Sequence, residues 1–283
     1  MIYGLAAALG WGFSDFTAAV VSRRIGSFTT VVVSQVTSVV LLLGLVAVVG
    51  PSFDGLGPGS LGLLVLNGFL LAIAYVIFYR ALAIGPVGLV SPIVAAYGGV
   101  AVPLAILLLD ERLSTLRLVG TAVTVCGVVL TSTDVRKLSG GRQWSGTGIA
   151  FGLGSMVLFA VATIVMGYTV RETGWMQTVV VSRSVTAALL VGAAYLRRTG
   201  VRSAGVTGLA GAAFIGLADI TGVGFYARGA EVGLVSIVAA VSATFILIPV
   251  IGGVVLLGER PAPNQSLGVA MVLAGLVLIG LGG

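Results

Sequence analysis

The sequence predicts an all-α polytopic membrane protein with ten transmembrane helices, arranged as two inverted five-helix repeats around a central cavity. Three observations lead to this prediction. Of the 283 residues, 58% are hydrophobic and 8% are charged, whereas soluble domains carry about 25% charged residues. Apolar stretches long enough to cross a bilayer recur along the whole chain. The second half of the chain also repeats landmarks of the first half.

The charged residues divide the chain into ten apolar stretches, most of them near the length of about 20 residues that one helical crossing requires. Seven stretches contain no charged residue: 25–53, 55–79, 81–109, 118–133, 143–170, 232–258 and 261–283. Three are interrupted once, 1–22 by Asp15, 173–196 by Arg183 and 203–227 by Asp219. Continuous apolar character favours helices, because the strands of a membrane barrel would alternate between apolar and polar side chains.

The composition excludes several kinds of site. The chain has no histidine and one cysteine, Cys126, so we expect no metal site, no disulfide and no cofactor. The net charge of +6 comes from 15 basic and 9 acidic residues that are spread thinly. This charge is too diffuse for nucleic-acid binding and suits loops that face a lipid bilayer. No P-loop or dinucleotide fingerprint is present, so we expect no ATP hydrolysis.

The second half of the chain repeats the first at an offset of 148 residues. Residues 31–44 and 179–192 share seven identities in fourteen positions. Further matches, at offsets of 144 to 148 residues, are Gly4 with Gly148, Phe78-Tyr79 with Phe225-Tyr226, Gly88-Leu89-Val90-Ser91 with Gly233-Leu234-Val235-Ser236, and Glu111-Arg112 with Glu259-Arg260. Each half holds five spans, an odd number, so the second copy must enter the membrane from the opposite face. Inverted repeats are typical of secondary transporters, whose substrate site lies between the halves.

Several motifs resemble the EamA family of the drug/metabolite transporter superfamily. They are Trp11-Gly12, Phe78-Tyr79-Arg80-Ala81-Leu82, Glu111-Arg112-Leu113 and Gly258-Glu259-Arg260. The resemblance covers nearly the whole chain as a first repeat at 1–132 and a second at 146–283, joined by a loop at 133–145. It implies ten helices, a central cavity and transport of small metabolites or drugs by alternating access. It does not name a substrate, because that family carries many kinds of solute.

The basic residues of the loops do not settle the orientation. The loops after the odd-numbered spans carry ten Lys and Arg residues, against four in the other loops. The positive-inside rule would place the first set in the cytoplasm and both termini outside. The family resemblance implies both termini inside, so the orientation stays open.

Ionisable residues within the spans are candidates for substrate binding or coupling, because a charge in the bilayer core is costly. Arg183 and Asp219 lie at matching depth, so we expect them to form a pair. Gln35 is the repeat equivalent of Arg183, and we expect it to form a second polar level with Asp15 in the other half. The alternative is that these residues only hold helices together, or that Asp15 leans outward to the arginines at the end of its span.

Aromatic and hydroxyl side chains complete the predicted site. Trp11, Tyr75 and Tyr97 could stack on a planar or cationic substrate, with ordinary packing as the alternative. Ser91 and Ser236, on the matching Gly-Leu-Val-Ser segments, could present hydroxyls to the cavity or bond back to their own helices.

Other aromatic and charged residues lie near span ends. Tyr79, Tyr226 and Trp175 are predicted to belong to the aromatic belts at the membrane interface. Glu111-Arg112 and Glu259-Arg260 are predicted to anchor span ends at the same level.

Proline and glycine residues suggest where helices bend or pack closely. Pro92 and Pro103 in the fourth span, with Pro249 in the ninth, each remove a backbone donor. Their recurrence in equivalent spans favours a hinge used in gating, with a static kink as the alternative. Gly148 and Gly152 form a small-residue spacing that allows close helix packing or a homodimer.

Together these features favour a secondary transporter and not an enzyme. We expect it to move a small metabolite or drug-like solute by alternating access, driven by a gradient, with export favoured over uptake. The expected location is the bacterial cytoplasmic (inner) membrane. One alternative is a polytopic membrane enzyme that acts on a lipid-linked substrate, although the acids that its chemistry would need are dispersed here. A non-transporting membrane subunit is the other alternative.

Overall fold

The computed structural model describes residues 1–53, 56–84, 90, 93–132, 146–198, 205–248 and 262–282. Within these ranges the chain is all-helical and contains no strand. Its helices are α1 (Ile2–Ile25), α2 (Ser27–Val49), α3 (Pro58–Ile84), α4 (Tyr97–Leu108), α5 (Thr115–Ser132), α6 (Gly146–Thr173), α7 (Trp175–Leu196), α8 (Gly205–Val232), α9 (Val235–Ser242) and α10 (Pro263–Leu281). A 3-10 turn at Ala243–Ile246 continues α9. These helices follow the order of the predicted apolar stretches.

The helices have the length and surface of membrane spans. Six of those described, α1, α2, α3, α6, α7 and α8, are long and apolar enough to cross a bilayer. The other four are shorter apolar helices as far as the structure describes them. Large apolar side chains cover the outer surface; Val48, Leu107 and Leu196 are 86%, 77% and 82% exposed. Water would not favour so much exposed apolar surface, so the chain is an integral multi-pass membrane protein.

Two helices extend beyond the charged residues at which the sequence-based spans end. Helix α3 continues to Ile84 and α8 continues to Val232, because charged side chains near a helix end can reach the interface without ending the helix. Tyr79 and Tyr226 therefore lie inside these helices. They are 1% and 2% exposed, so the prediction that they belong to an interface belt is wrong.

Equivalent glycines join the first two helices of each half without a loop. Gly26 lies between α1 and α2 with φ +86°, and Gly174 lies between α6 and α7 with φ +88°. Side chains disfavour this backbone conformation, which glycine adopts readily. The 148-residue repeat therefore places the same turn at the same point of both halves.

Equivalent helices of the two halves run in opposite directions where they pack together. At one end of α2 and α7, the guanidinium of Arg197 lies 4.7 Å from the centroid of the Phe28 ring. At the other end, the Gln177 side chain donates to the carbonyl of Ser52, just beyond α2, at 2.7 Å. Helices α5 and α10 are also antiparallel, since Gly120 packs near Ile279 and Gly127 packs near Val272.

The contacts between the halves obey an approximate twofold symmetry. Helix α1 packs along α8 as α6 packs along α3. The Ser38 hydroxyl donates to the carbonyl of Gly216 at 2.8 Å, and its equivalent Thr186 donates to the carbonyl of Gly68 at 2.9 Å. Each half thus packs its first two helices against the third helix of the other half, and the two halves enclose the space between them.

The predicted hinge and dimer residues have different outcomes. Helix α4 continues through Pro103, which is exposed, while Pro92 and Pro249 lie outside the described residues. Gly148 is buried, and a side-chain carbon at Gly152 would lie 3.4 Å from Ile93. In this chain the small-residue spacing therefore serves packing within the protein. The hinge and the homodimer stay predictions.

Candidate functional site

A cavity lies between the two halves, among the middle parts of the long helices. Its volume is about 80 Å³, which is room for several waters or a small solute. The first half contributes Trp11, Asp15, Leu71, Tyr75, Phe78, Val94 and Tyr97 to its lining, and the second half contributes Phe159, Ala162, Thr163, Met166, Arg183, Asp219, Val223, Tyr226 and Phe245. Both repeats are therefore needed to form it.

A buried polar network forms one wall of the cavity, and Arg183 lies at its centre. Arg183 Nη1 lies 3.0 Å from Asp219 Oδ2, which confirms the predicted pairing of these two residues. Arg183 also donates to Gln35 Oε1 at 2.7 Å and to the Tyr75 hydroxyl at 2.8 Å. Tyr75 in turn donates to Asp219 Oδ1 at 2.8 Å, and Gln35 Nε2 donates to Asp219 Oδ2 at 3.3 Å. The charges of Arg183 and Asp219 are thus paired and largely enclosed.

Gln35 belongs to this network and not to a separate level in the other half. It is fully buried, and its amide contacts both Arg183 and Asp219. The predicted second level of Asp15 with Gln35 is therefore wrong. The physical reason is that α2 and α7 are antiparallel neighbours, so the equivalent positions 35 and 183 meet near the symmetry axis instead of lying in separate halves.

Asp15 is the acid that the cavity exposes. It is half-buried and lines the cavity, whereas the side chains of Arg183 and Asp219 are each 2% exposed. Asp15 lies within electrostatic range of Asp219, and α1 points it toward the interior, not outward to the arginines at the end of the helix. Because Arg183 and Asp219 pair with one another, Asp15 is the acid of the described lining that has no basic partner within that lining.

Aromatic rings form two related clusters around the cavity. The Trp11 ring lies 6.4 Å from Tyr97 and 5.3 Å from Tyr226, measured between centroids. On the opposite side, Phe159 lies 5.2 Å from Tyr75 and 5.9 Å from Phe78. Trp11 and Phe159 are repeat equivalents at the 148-residue offset. The three predicted aromatics, Trp11, Tyr75 and Tyr97, all line the cavity.

The two halves break their symmetry at the charged positions. Thr163 occupies the position equivalent to Asp15, and Gln35 occupies the position equivalent to Arg183. Tyr97 and Ser242, which are equivalent at the 145-residue offset of the Gly-Leu-Val-Ser segments, share a hydrogen bond of 2.8 Å where the two halves meet. The scaffold is therefore nearly symmetric, while the charges that a solute would meet are not.

The predicted serines do not extend this site. Ser236 is fully buried, its hydroxyl has no partner among the described residues, and it is not part of the described lining. The prediction that it offers a hydroxyl to the cavity is wrong, because α9 directs its first turn toward Glu111 instead. Ser91 lies outside the described residues.

Glu111 has a structural role that the sequence did not indicate. It is 5% exposed and accepts hydrogen bonds from the backbone nitrogens of Val235 at 2.7 Å and Ser236 at 2.9 Å. It also pairs with Arg171 at the end of α6. A carboxylate at a helix N-terminus accepts hydrogen bonds from the free N–H groups and interacts favourably with the helix dipole. Glu111 is therefore a cap for α9 and not an interfacial anchor; Glu259 and Arg260 lie outside the described residues.

Four further residues line the cavity that the sequence motifs do not point to: Phe159, Thr163, Tyr226 and Phe245. The 148-residue offset relates Thr163 to Asp15 and Phe159 to Trp11. Tyr226 lies near the end of the predicted eighth span, but the helix continues to Val232 and places this ring inside the protein. Within the described part of the chain, no group of three or more His, Cys, Asp or Glu residues is placed to hold a metal.

Comparison with known proteins agrees with this architecture. No curated protein sequence matches the chain significantly. Several solved structures are similar in fold; one crystal structure among them matches with a TM-score of 0.76 at 16% identity, over 99% of this chain and 96% of that chain. The family model of EamA-like transporters matches residues 1–133 and again 146–281. With both repeats matched across nearly its full length, the chain belongs to the EamA-like transporter family.

Proposed function

We propose that the protein is a secondary transporter that moves a small metabolite or drug-like solute by alternating access. In this proposal, ten helices cross the membrane as two inverted five-helix repeats, 1–132 and 146–283. The observation that carries it is the cavity, which both repeats line and which contains a charged network at mid-helix depth. Charged groups inside membrane spans are costly and commonly mark a solute pathway.

The inverted arrangement supplies a physical route for alternating access. Equivalent helices of the two halves pack antiparallel. The helix ends that one half would present to one membrane face, the other half would therefore present to the opposite face. A rearrangement that exchanges the conformations of the two halves would close the cavity to one face and open it to the other. The solute site between the halves would stay in place during this exchange.

Within this proposal the predicted site residues have different tasks. Trp11, Asp15 and Tyr97 would contact the solute, because they line the cavity and take part in none of the ion pairs of the described residues. Arg183 and Asp219, both of the second half, would hold the halves together through their hydrogen bonds to Gln35 and Tyr75 of the first half. A solute or ion that competes for one member of this pair would couple binding to rearrangement. We propose that a solute or ion gradient drives transport, and that export from a bacterial cytoplasm is its direction.

Flux measurements with a pair of neighbouring variants test this proposal. Ala162 and Val161 follow one another on α6, but Ala162 is 2% exposed and lines the cavity while Val161 is 39% exposed on the outer surface. Ala162→Phe should fill the cavity and stop solute flux into proteoliposomes. Val161→Phe adds a bulky side chain one position away and should leave flux near the wild-type value.

The assay would use amines, amino acids, nucleosides and organic anions, each with and without a pH gradient. Flux of any solute that Ala162→Phe abolishes and Val161→Phe preserves supports the proposal. Equal flux in the two variants would place the pathway elsewhere. Absence of flux for every solute, together with turnover of a lipid-linked substrate, would favour a membrane enzyme instead.

A further inference from the structure

We propose that the solute of this cavity is a monovalent organic cation with a small aromatic or apolar body, bound between the Asp15 carboxylate and the ring of Trp11. This inference rests on the proposed function and gives its substrate a chemical class. Three features of the described lining carry it: an acid on the cavity surface without a basic partner in the lining, an aromatic wall beside that acid, and an arginine that is already paired with another acid.

The first feature is the charge balance. Arg183 lies 3.0 Å from Asp219 and donates to Gln35 and Tyr75, so its terminal nitrogens are used within the protein. The Arg183 Nε has no partner among the described residues, but it is enclosed, so an anionic solute would have to rearrange this network before it reached the guanidinium. A cation meets Asp15 directly, since that carboxylate is half-buried on the cavity surface. The attraction is strengthened by the low dielectric of the membrane interior.

The second feature is the position of Trp11. It precedes Asp15 by four residues on α1, which places both side chains on one face of the helix, one turn apart. Both line the cavity. Tyr97 and Tyr226 surround the Trp11 ring at 6.4 and 5.3 Å. An ammonium beside Asp15 would therefore be close to an indole, the aromatic ring that attracts cations most strongly.

The third feature is the residue related to Asp15 by the repeat. Thr163 lines the same cavity from α6 and is uncharged. The cavity thus has an acid on one side of its symmetry axis and a hydroxyl on the other. A solute with one positive charge and an apolar remainder matches this arrangement, and a solute with two positive charges does not.

Matched ligands that differ in charge test the inference on the purified full-length protein. Trimethylphenylammonium, tert-butylbenzene and benzoate carry one positive charge, no charge and one negative charge on a phenyl ring. We expect calorimetry to give an affinity for trimethylphenylammonium at least about tenfold above those for the other two. Equal affinity for the cation and its neutral isostere, tighter binding of benzoate, or no binding of the cation at millimolar concentration would overturn the inference.

Variants then assign the charge to Asp15. Asp15→Asn should weaken cation binding about tenfold and leave the binding of tert-butylbenzene unchanged. Trp11→Phe should weaken cation binding by roughly threefold, because phenylalanine is the weaker partner of a cation. Glu172→Gln serves as the matched control, since Glu172 is an exposed acid outside the cavity lining, and it should change neither affinity.

A carboxylate placed at the repeat-related position separates a binding role from a structural one. In the Asp15→Asn background, Thr163→Asp should restore part of the lost cation affinity from the other side of the cavity. As a single substitution, Thr163→Asp should tighten cation binding, which keeps the inference testable if Asp15→Asn fails to fold. Unchanged cation affinity in Asp15→Asn, or in the folded Thr163→Asp variant, contradicts the inference.

The failure of this inference can be distinguished from the failure of the proposed function. If proteoliposomes move an anion or a zwitterion and Ala162→Phe stops that flux, the protein is a transporter and the cation assignment is wrong. If no solute moves in any assay, the proposed function itself fails.

Discussion

Two ion pairs, each with a buried acid, occupy different regions of this molecule and differ in what surrounds them. Arg183 and Asp219 lie in mid-helix on α7 and α8, at the cavity, with no backbone group among their described partners. Glu111 lies just after α4 and pairs with Arg171, but it also accepts two backbone N–H groups of α9. The first pair depends on side chains alone, while the second completes a helix end.

This difference separates the solute pathway from the framework. The repeat has a second acid in sequence, because Glu259 is equivalent to Glu111. It supplies no second copy of the cavity pair. Gln35 is the equivalent of Arg183, and Ala72 is the equivalent of Asp219 at the 147-residue offset that relates Phe78 to Phe225. We infer that the features common to both halves serve the fold, and that the unmatched charges serve the solute. The following substitutions test this comparison, from the largest expected effect to the smallest.

Loss of one partner of the cavity pair should have the largest effect. Arg183→Gln leaves Asp219 as an isolated buried charge, and we expect the free energy of unfolding to fall by about 3–5 kcal/mol. Denaturant titration in detergent micelles would measure this. The double variant Arg183→Gln with Asp219→Asn should regain much of the loss, because neither charge is then isolated. A single variant as stable as the wild type would mean that the pair is not buried as described.

The helix cap should be the next most sensitive position. Glu111→Gln keeps a side-chain oxygen but removes the charge that meets two backbone nitrogens and Arg171, and we expect a loss of about 1.5–3 kcal/mol. The same titration measures it, and cation binding should not change. If Glu111→Gln weakened cation binding as strongly as Asp15→Asn, the separation of framework from pathway would be wrong.

The repeat predicts a matched effect at Glu259. Since Glu259-Arg260 repeats Glu111-Arg112, Glu259→Gln should lower stability by an amount similar to that of Glu111→Gln, about 1.5–3 kcal/mol. Denaturation of the two variants side by side is the measurement. A Glu259 variant with wild-type stability would show that the cap is not shared by both halves.

Removal of the bridging hydroxyl should have a smaller effect. Tyr75→Phe removes one hydrogen bond to Asp219 and one from Arg183. Arg183 and Asp219 still contact one another, and both still contact Gln35. We expect a loss of about 1 kcal/mol in stability, read from the denaturation midpoint. A loss as large as that in Arg183→Gln would mean that Tyr75, and not the ion pair, holds this wall together.

An exposed acid should have the smallest effect. Glu172 accepts a hydrogen bond from Ser60 on the surface, and exposed polar contacts of this kind contribute little. Glu172→Gln should therefore change the free energy of unfolding by less than about 0.5 kcal/mol. A larger change would indicate that surface contacts carry more of the stability than the comparison assumes.

The sequence predicted the helices and the ion pair because both follow from strong, local costs. Charges are excluded from spans, so their spacing located the helices in order, and two isolated charges at equal depth must pair. The inverted order of the repeat followed from an odd number of spans. These arguments need no knowledge of how the helices pack against each other.

The sequence could not place residues whose role depends on packing between the halves. The sequence predicts Gln35 beside Asp15, whereas its amide contacts Arg183 and Asp219. Nothing in the sequence indicates that α2 and α7 are neighbours. Glu111 looked like an interfacial anchor because its partners, the first backbone nitrogens of α9, carry no side-chain signal. Tyr79 and Tyr226 are predicted at the membrane interface but lie buried inside the protein, because α3 and α8 continue past their charged residues.

Thiol labelling from each side of the membrane tests alternating access most directly. Thr163→Cys places a thiol on the cavity wall, and Cys126→Ala removes the natural cysteine, which is exposed on α5. In sealed vesicles of known orientation, a membrane-impermeant maleimide should react with position 163 when it is added outside, and also when it is trapped inside. Reaction from one side alone, or from neither side, would contradict a cavity that opens to both faces in turn.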